Sequence, residues 1–125
     1  MSDADHSLKH RATELRYSKA DKQLTVTFED GQAFALPAEY LRVESPSAEV
    51  QGHSPSQKTT LGGRRHVGIM RIEPVGSYAV RIVFDDMHDT GLYTWDYLHK
   101  LGRERETIWA DYLARLEEKG LSRDP

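Results

Sequence analysis

The sequence predicts an α+β fold in which short antiparallel β-hairpins form small sheets, with C-terminal helices packed on them. Two patterns carry this reading. Over most of the chain apolar residues recur at every second position in short runs, punctuated by Gly, Asp and Pro. After Thr94 the period changes, and apolar residues recur three and four apart, as one face of a helix requires. At 125 residues the chain fits one ordinary domain with a real core.

Met1 to Arg11 is polar without a sustained period and reads as a flexible tail. His6 and His10 are four apart, a spacing that on a helix would present both imidazoles to one metal; in a solvated tail it means nothing. Glu14 to Tyr17 is expected to add a strand, joined by Ser18–Lys22 to a hairpin. In that hairpin Leu24, Val26 and Phe28 alternate with Thr25 and Thr27, Glu29-Asp30-Gly31 turns, and Gln32 to Leu36 returns. Pro37 suits the first position of a helix, which has no use for its missing N–H, so Pro37 to Arg42 is predicted as a helical turn with Tyr40 and Leu41 inward. Val43 to His66 is rich in Ser, Pro and Gly and reads as one long loop.

Val67 to Ile72 returns to strand composition, and Glu73 to Ser77 reads as a turn. Tyr78, Val80, Ile82 and Phe84 should then share one face of a half-buried strand, with Ala79, Arg81 and Val83 on the other. The polar turn Asp85 to Asp89 leads into an extended run from Thr90 to Trp95. Thr94 is placed to cap a helix ending near Leu101, with Gly102 as a left-handed stop. A last helix is predicted from about Arg103 to Lys119, with Ile108, Trp109, Tyr112, Leu113 and Leu116 as its core stripe and Gly120 as its end. Leu121 to Pro125 reads as a frayed end.

Composition narrows the function classes. The net charge of −3, with both signs interspersed, argues against nucleic acid or an anionic membrane as partner. The absence of cysteine excludes disulfides, thiolate metal sites and cysteine nucleophiles, so any metal must use His, Asp or Glu. No apolar run approaches the roughly 18 residues of a membrane helix, and the N-terminus lacks the layout of a secretion signal, which points to the cytoplasm. No histidine begins the H-x-D or H-x-E pattern of an iron oxygenase, and no G-x-S-x-G, H-E-x-x-H or dinucleotide-binding glycine pattern occurs. The chain therefore reads as non-catalytic, with no cofactor expected.

Two segments could still carry function. Asp85, Asp86, His88 and Asp89 have the donor types for a divalent metal such as zinc or iron, although turns also collect Asp because it accepts backbone N–H bonds. The long loop is the natural place for a protein partner, with His53, Lys58, Arg64 and Arg65 as its candidate contacts. Gly52 to Thr59 departs from the phosphate-cradling G-x-x-x-x-G-K-[ST] pattern, since Gln57 stands at the second glycine and no apolar-periodic helix follows. Lys58, Arg64 and Arg65 beside Gly62 and Gly63 could hold a simple anion, or the loop could be merely solvated.

Through LRVESPSAEVQGH, IEPVGSYAVRIVFDDMHDTGLYTWDYL and the strand pairs before them, residues 12–102 resemble the gamma-butyrobetaine hydroxylase-like N-terminal domain family. Residues 1–11 then form the tail, and 103–120 a C-terminal helix packed on the same domain. In two-domain hydroxylases the resemblance implies a domain that precedes a 2-oxoglutarate and iron(II) dependent oxygenase, assists dimer contacts and binds a structural zinc through three Cys and one His. The matching positions here are Ser45, Ser47, Val50 and His88, so three of the four ligands are absent. The oxygenase domain is absent too. The resemblance therefore implies a small stand-alone binding or adaptor module, monomeric or homodimeric, or alternatively a metal-binding accessory protein linked to iron or iron–sulfur metabolism.

Overall fold

The computed structural model describes residues 9–125. Its first sheet has the order β1 (Ala12–Ser18), β2 (Gln23–Phe28), β3 (Ala33–Pro37), all antiparallel. Three short helical pieces follow: α1 (Ala38–Val43), α2 (Ala48–Gln51) and a single 3-10 turn, Pro55–Gln57. A second antiparallel sheet has the order β4 (Ile69–Val75), β5 (Ala79–Phe84), β6 (Leu92–Thr94), and α3 (Trp95–Arg103) and α4 (Arg105–Glu118) complete the chain. This is the α+β arrangement that the hydrophobic periods predict.

Alternation in β2 buries Leu24, Val26 and Phe28 while Thr25 and Thr27 stay half-exposed, the expected result of a period of two on a sheet with one covered face. These residues merge with Val80, Ile82, Phe84 and Tyr93 of the second sheet, and with Leu98 and Leu101 of α3, into one core. The short helix α1 lies within this assembly and is buried on every side, its Glu39 and Arg42 included. A smaller cluster of Val43, Tyr112 and Leu116 fixes α4 to the end of α1.

Several expectations are corrected. Tyr78 lies outside β5 and is exposed, whereas Ala79 and Val83 are buried, so β5 is covered on both faces except at Arg81. Pro74 and Val75 belong to β4 rather than to a turn. A proline within a strand is confined to a sheet edge because it has no N–H to donate, and β4 is an edge. Gly102 does not stop α3: it lies inside the helix, where a Cβ would sit 2.2 Å from the Phe34 ring. Its role is close approach rather than chain reversal. Leu113 faces solvent.

The end of the chain is not frayed. Arg123 forms a two-pronged bond to the buried Glu39 carboxylate and stacks over Trp109 with its guanidinium 5.3 Å from the ring centre, while Arg65 N donates to Arg123 O. At the other end, Glu29 N donates to Arg11 O and His10 stacks on His99, so the packed chain begins before residue 12. His6 lies outside the described residues.

Candidate functional site

The stretch after α1 has the composition of a solvated loop, yet its first part is buried. Ser47 caps α2 by accepting from Glu49 N, which draws the chain inward and covers Ser45, Ser47 and Val50. Across from it the Asp85–Asp89 turn is closed by Phe84 N donating to His88 O, which presents the His88 ring to α2. Ser45 Oγ lies 2.8 Å from His88 Nε2, and Glu49 Oε1 lies 3.2 Å from His88 Nδ1. A carboxylate can only accept, so Nδ1 carries the proton and Nε2 accepts the serine hydroxyl. Burial, reinforced by the Arg42 guanidinium, holds His88 below the ordinary imidazole range against the opposing pull of Glu49 and Asp86.

Hydroxyl, imidazole and carboxylate thus stand in the order of a serine-hydrolase triad. The surroundings do not allow that chemistry. Ser45 is 0% exposed, and a Cβ on Gly91 would come within 2.5 Å of its Oγ, so the Gly91 backbone seals the hydroxyl. An acyl carbonyl has no room to reach it.

The four positions that the resemblance assigns to zinc do come from the two segments that this contact joins. They do not fit the ion. Two offer neutral hydroxyls, with Ser47 Oγ bonded to Thr90 Oγ1 at 2.7 Å, and Val50 offers only carbon. Structural zinc takes deprotonated sulfur or imidazole nitrogen, and the one candidate imidazole nitrogen is occupied by Ser45.

The second metal candidate fails on geometry. Asp86 is clamped by Arg42 Nε at 2.8 Å and Arg64 Nε at 2.9 Å, and its other oxygen accepts from His88 N. Burial raises its pKa, but the His88 N–H and the two guanidiniums outweigh that and hold it below the usual carboxylate range. His88 turns away from the acids toward Ser45 and Glu49, so Asp85, Asp86, His88 and Asp89 do not converge on a common point.

Among the described residues the acidic and imidazole groups that do converge are His10, Asp30 and His99. Sequence reasoning paired His10 with His6 and missed this, because its partners are remote in the chain. The cluster is a hydrogen-bonded strap. His99 Nδ1 accepts from Arg103 at 2.6 Å, which leaves Nε2 protonated and donating to Asp30 at 2.9 Å, and His10 bonds Asp96 at 2.8 Å. A His99 whose lone pair faces a guanidinium has none for a metal.

The basic residues of the loop are equally committed. Lys58 is 2.6 Å from Glu44, Arg64 is bound to Asp86, and Arg65 pairs with Asp124. Only His53 of the four stands exposed without a side-chain ion pair. An uncommitted surface lies elsewhere, between the sheets. β1 and β4 each lie at an edge of their sheet, and Ile69 N donates to Tyr17 Oη at 3.0 Å between them. From there an apolar cleft of about 500 Å3 opens, lined by Leu15 and Tyr17 on one side, Met70, Ile72 and Pro74 on the other, and Trp95. Met70 is 53% exposed within it. The proline in β4 is the signal that could have marked that strand as an edge.

No curated protein matches the chain. It is similar to two proteins solved by solution NMR: one is 47% identical with a TM-score of 0.80, over 93% of this chain and 91% of that one. The other is 43% identical with a TM-score of 0.83, over 100% and 92%. A crystal structure of a protein of unknown function of the DUF971 family, from Acidithiobacillus ferrooxidans ATCC 23270, is 35% identical with a TM-score of 0.63, over 74% and 92%. Residues 15–99, which hold most of β1, the other five strands, the Ser45–His88 contact and the first half of α3, match the model of the gamma-butyrobetaine hydroxylase-like, N-terminal family, and this chain belongs to that family.

Proposed function

We propose that this chain is a non-catalytic protein-binding module of the cytoplasm, which takes an extended segment of a partner protein between the free edges of β1 and β4. The observation that carries the reading is the apolar cleft between two unpaired strands. A free edge presents N–H and C=O groups that an incoming strand can satisfy, and apolar pockets alongside it select alternate side chains. The Ser45–His88 pair is sealed from substrate, which supports a binding role over a catalytic one. The loop contributes less than its composition suggests, because Lys58, Arg64 and Arg65 are occupied within the fold.

Capture from native cytoplasm tests this with Met70→Glu, which places a charge in the cleft at a position exposed enough to spare the fold. Leu113→Glu, on the outer face of α4, is the control. The reading expects a protein retained by the wild type and by Leu113→Glu and lost with Met70→Glu. Equal retention by all three, or no partner at all, sinks it. If the retained species is a second copy of this chain, sedimentation of the purified protein shows a dimer that Met70→Glu dissociates.

A further inference from the structure

We infer that the occupant of the cleft is an extended segment of apolar, acidic and apolar residues in that order, whose backbone bonds to β1 at Leu15 and Tyr17 while β4 supplies only an apolar wall. This builds on the partner-binding role proposed above, and adds which edge bonds the partner and what the partner carries.

The direction of each backbone group follows from the register. Phe28 N donates to Gln32 O and Phe28 O accepts from Gly31 N, so Phe28 faces β3. Hydrogen-bonding direction alternates along an antiparallel strand, so Leu24 and Val26 face β3 as well, and Gln23, Thr25 and Thr27 face β1. Their partners in β1 are Ser18, Arg16 and Glu14. The N–H and C=O groups of Leu15 and Tyr17 therefore point away from the sheet, and among the described residues no backbone group bonds them.

β4 is the poorer edge. Asp85 N donates to Gly68 O, so Asp85, Val83 and Arg81 turn toward β4 and engage Arg71 and Glu73. Ile72 and Pro74 then turn outward, and a proline has no N–H to give. The N–H of Ile69 is already bonded to Tyr17 Oη. Over Ile72–Pro74, β4 offers one donor, whereas β1 offers two donors and two acceptors on alternate residues, the repeat that an added strand uses.

Side chains set the sequence of the occupant. Leu15 and Tyr17 are half-buried in the cleft, and Glu14 and Arg16 are exposed on the other face. A strand laid beside β1 alternates likewise. Its residues opposite Leu15 and Tyr17 enter the cleft against Met70, Ile72 and Trp95, so they are apolar. The residue between them stands across from Arg16. The Arg16 side chain is 75% exposed, and its bond to Glu14 at 3.0 Å lies in solvent, where such a pair holds little. Arg16 is thus available to an acid directly opposite. The equivalent residue of β4 is Glu73, which would repel that acid and is engaged by Arg71 and Arg81.

The probes are acetyl-Ser-Val-Glu-Val-Ser-amide and its Glu→Lys counterpart, titrated into the full chain and followed by amide NMR and hydrogen exchange. Saturable binding of the acidic peptide is expected. Exchange at the Leu15 and Tyr17 amides should slow about tenfold when roughly nine-tenths of the protein is bound, since it then proceeds only from the free fraction. The Ile72 amide should be unchanged. The lysine peptide should bind a few-fold more weakly, and Arg16→Glu should reverse the order of the two. Methylating the nitrogens of both valines, the ones aimed at β1, should abolish binding. Protection at Ile72 instead of Leu15 and Tyr17, an order unchanged in Arg16→Glu, or no saturable binding of the acidic peptide overturns the inference. Protection at Ile72 would leave the cleft as the partner site; that reading falls on its own test, if Met70→Glu still retains the cytoplasmic partner.

Discussion

Gly102→Ala sets two effects of opposite sign against each other. Within a helix, alanine is favoured over glycine by about 0.8–1.0 kcal/mol, and Gly102 lies inside α3 without a positive φ. On propensity alone the variant is more stable. Its Cβ, however, would meet three atoms of the Phe34 ring at 2.2, 2.4 and 2.7 Å, against an ordinary carbon–carbon separation of about 3.5–4.0 Å. The ring would have to withdraw by more than an ångström. It is held edge-on to His99 at 5.4 Å and to Phe28 at 6.1 Å, contacts worth about 0.5–1.5 kcal/mol each. Overpacking of this kind costs roughly 1–3 kcal/mol, and the loss of aromatic contacts places it at the upper end. The clash exceeds the propensity gain, and a net loss of about 2 kcal/mol lowers Tm by roughly 8 °C for a chain of this size. Urea and thermal denaturation followed by far-UV circular dichroism measure both quantities. In a Phe34→Ala background the clash is gone and only propensity is left, so the same substitution should become neutral or stabilising. A Gly102→Ala protein that melts at or above the wild type, or a penalty unchanged by Phe34→Ala, would refute the close-approach account.

His88 makes stability depend on pH. Its folded pKa is depressed, so its contribution is complete above the free imidazole value of about 6.5 and is lost as pH falls from there through the folded value, where the unfolded chain binds the proton first. A stability profile between pH 7 and pH 5 should slope downward in the wild type and flatten in His88→Asn; an unchanged slope rejects the assignment. The depressed Asp86 acts in a separate window, its contribution present above about pH 4 and lost as pH falls through its lower folded value. Arg123→Ala strands the Glu39 carboxylate, 6% exposed, and should cost about 2–3 kcal/mol in denaturant melts, less than the roughly 3–5 kcal/mol of a fully buried pair because Arg123 itself is partly solvated. Carboxypeptidase should then trim residues 121–125 faster. Ser45→Cys, Ser47→Cys and Val50→Cys combined convert a set that does not fit zinc into three thiolates beside His88, and elemental analysis should find about one zinc per chain; a metal-free variant shows that the positions are misplaced.

What was legible in the sequence is what depends on local period and on capping. Leu24, Val26 and Phe28 announce β2, and Thr94 caps α3 by accepting from Tyr97 N. What was not legible depends on partners far along the chain. Gly102 reads as a helix stop because Gly is the usual one, and nothing nearby reveals that the Phe34 ring occupies the space of its Cβ. His88 sits among aspartates, so local reasoning assigns it to them, whereas its ring meets Ser45, 43 residues away.

The segment from α1 to β4 shows why composition misled most there. Its polar residues look solvated when summed by type, but the charges form pairs that cross the fold: Glu39 with Arg123, Glu44 with Lys58 and Arg115, and Asp86 with Arg42 and Arg64. Glu39, Glu44 and Arg42 are buried, where an unpaired charge would be costly. The pairs therefore hold the segment against α4 and the Asp85–Asp89 turn where apolar side chains are few. Charges engaged in this way are poor anchors for a partner, since recruiting one exposes its buried counter-ion. The surface left for recognition is the apolar one, at the edges of β1 and β4.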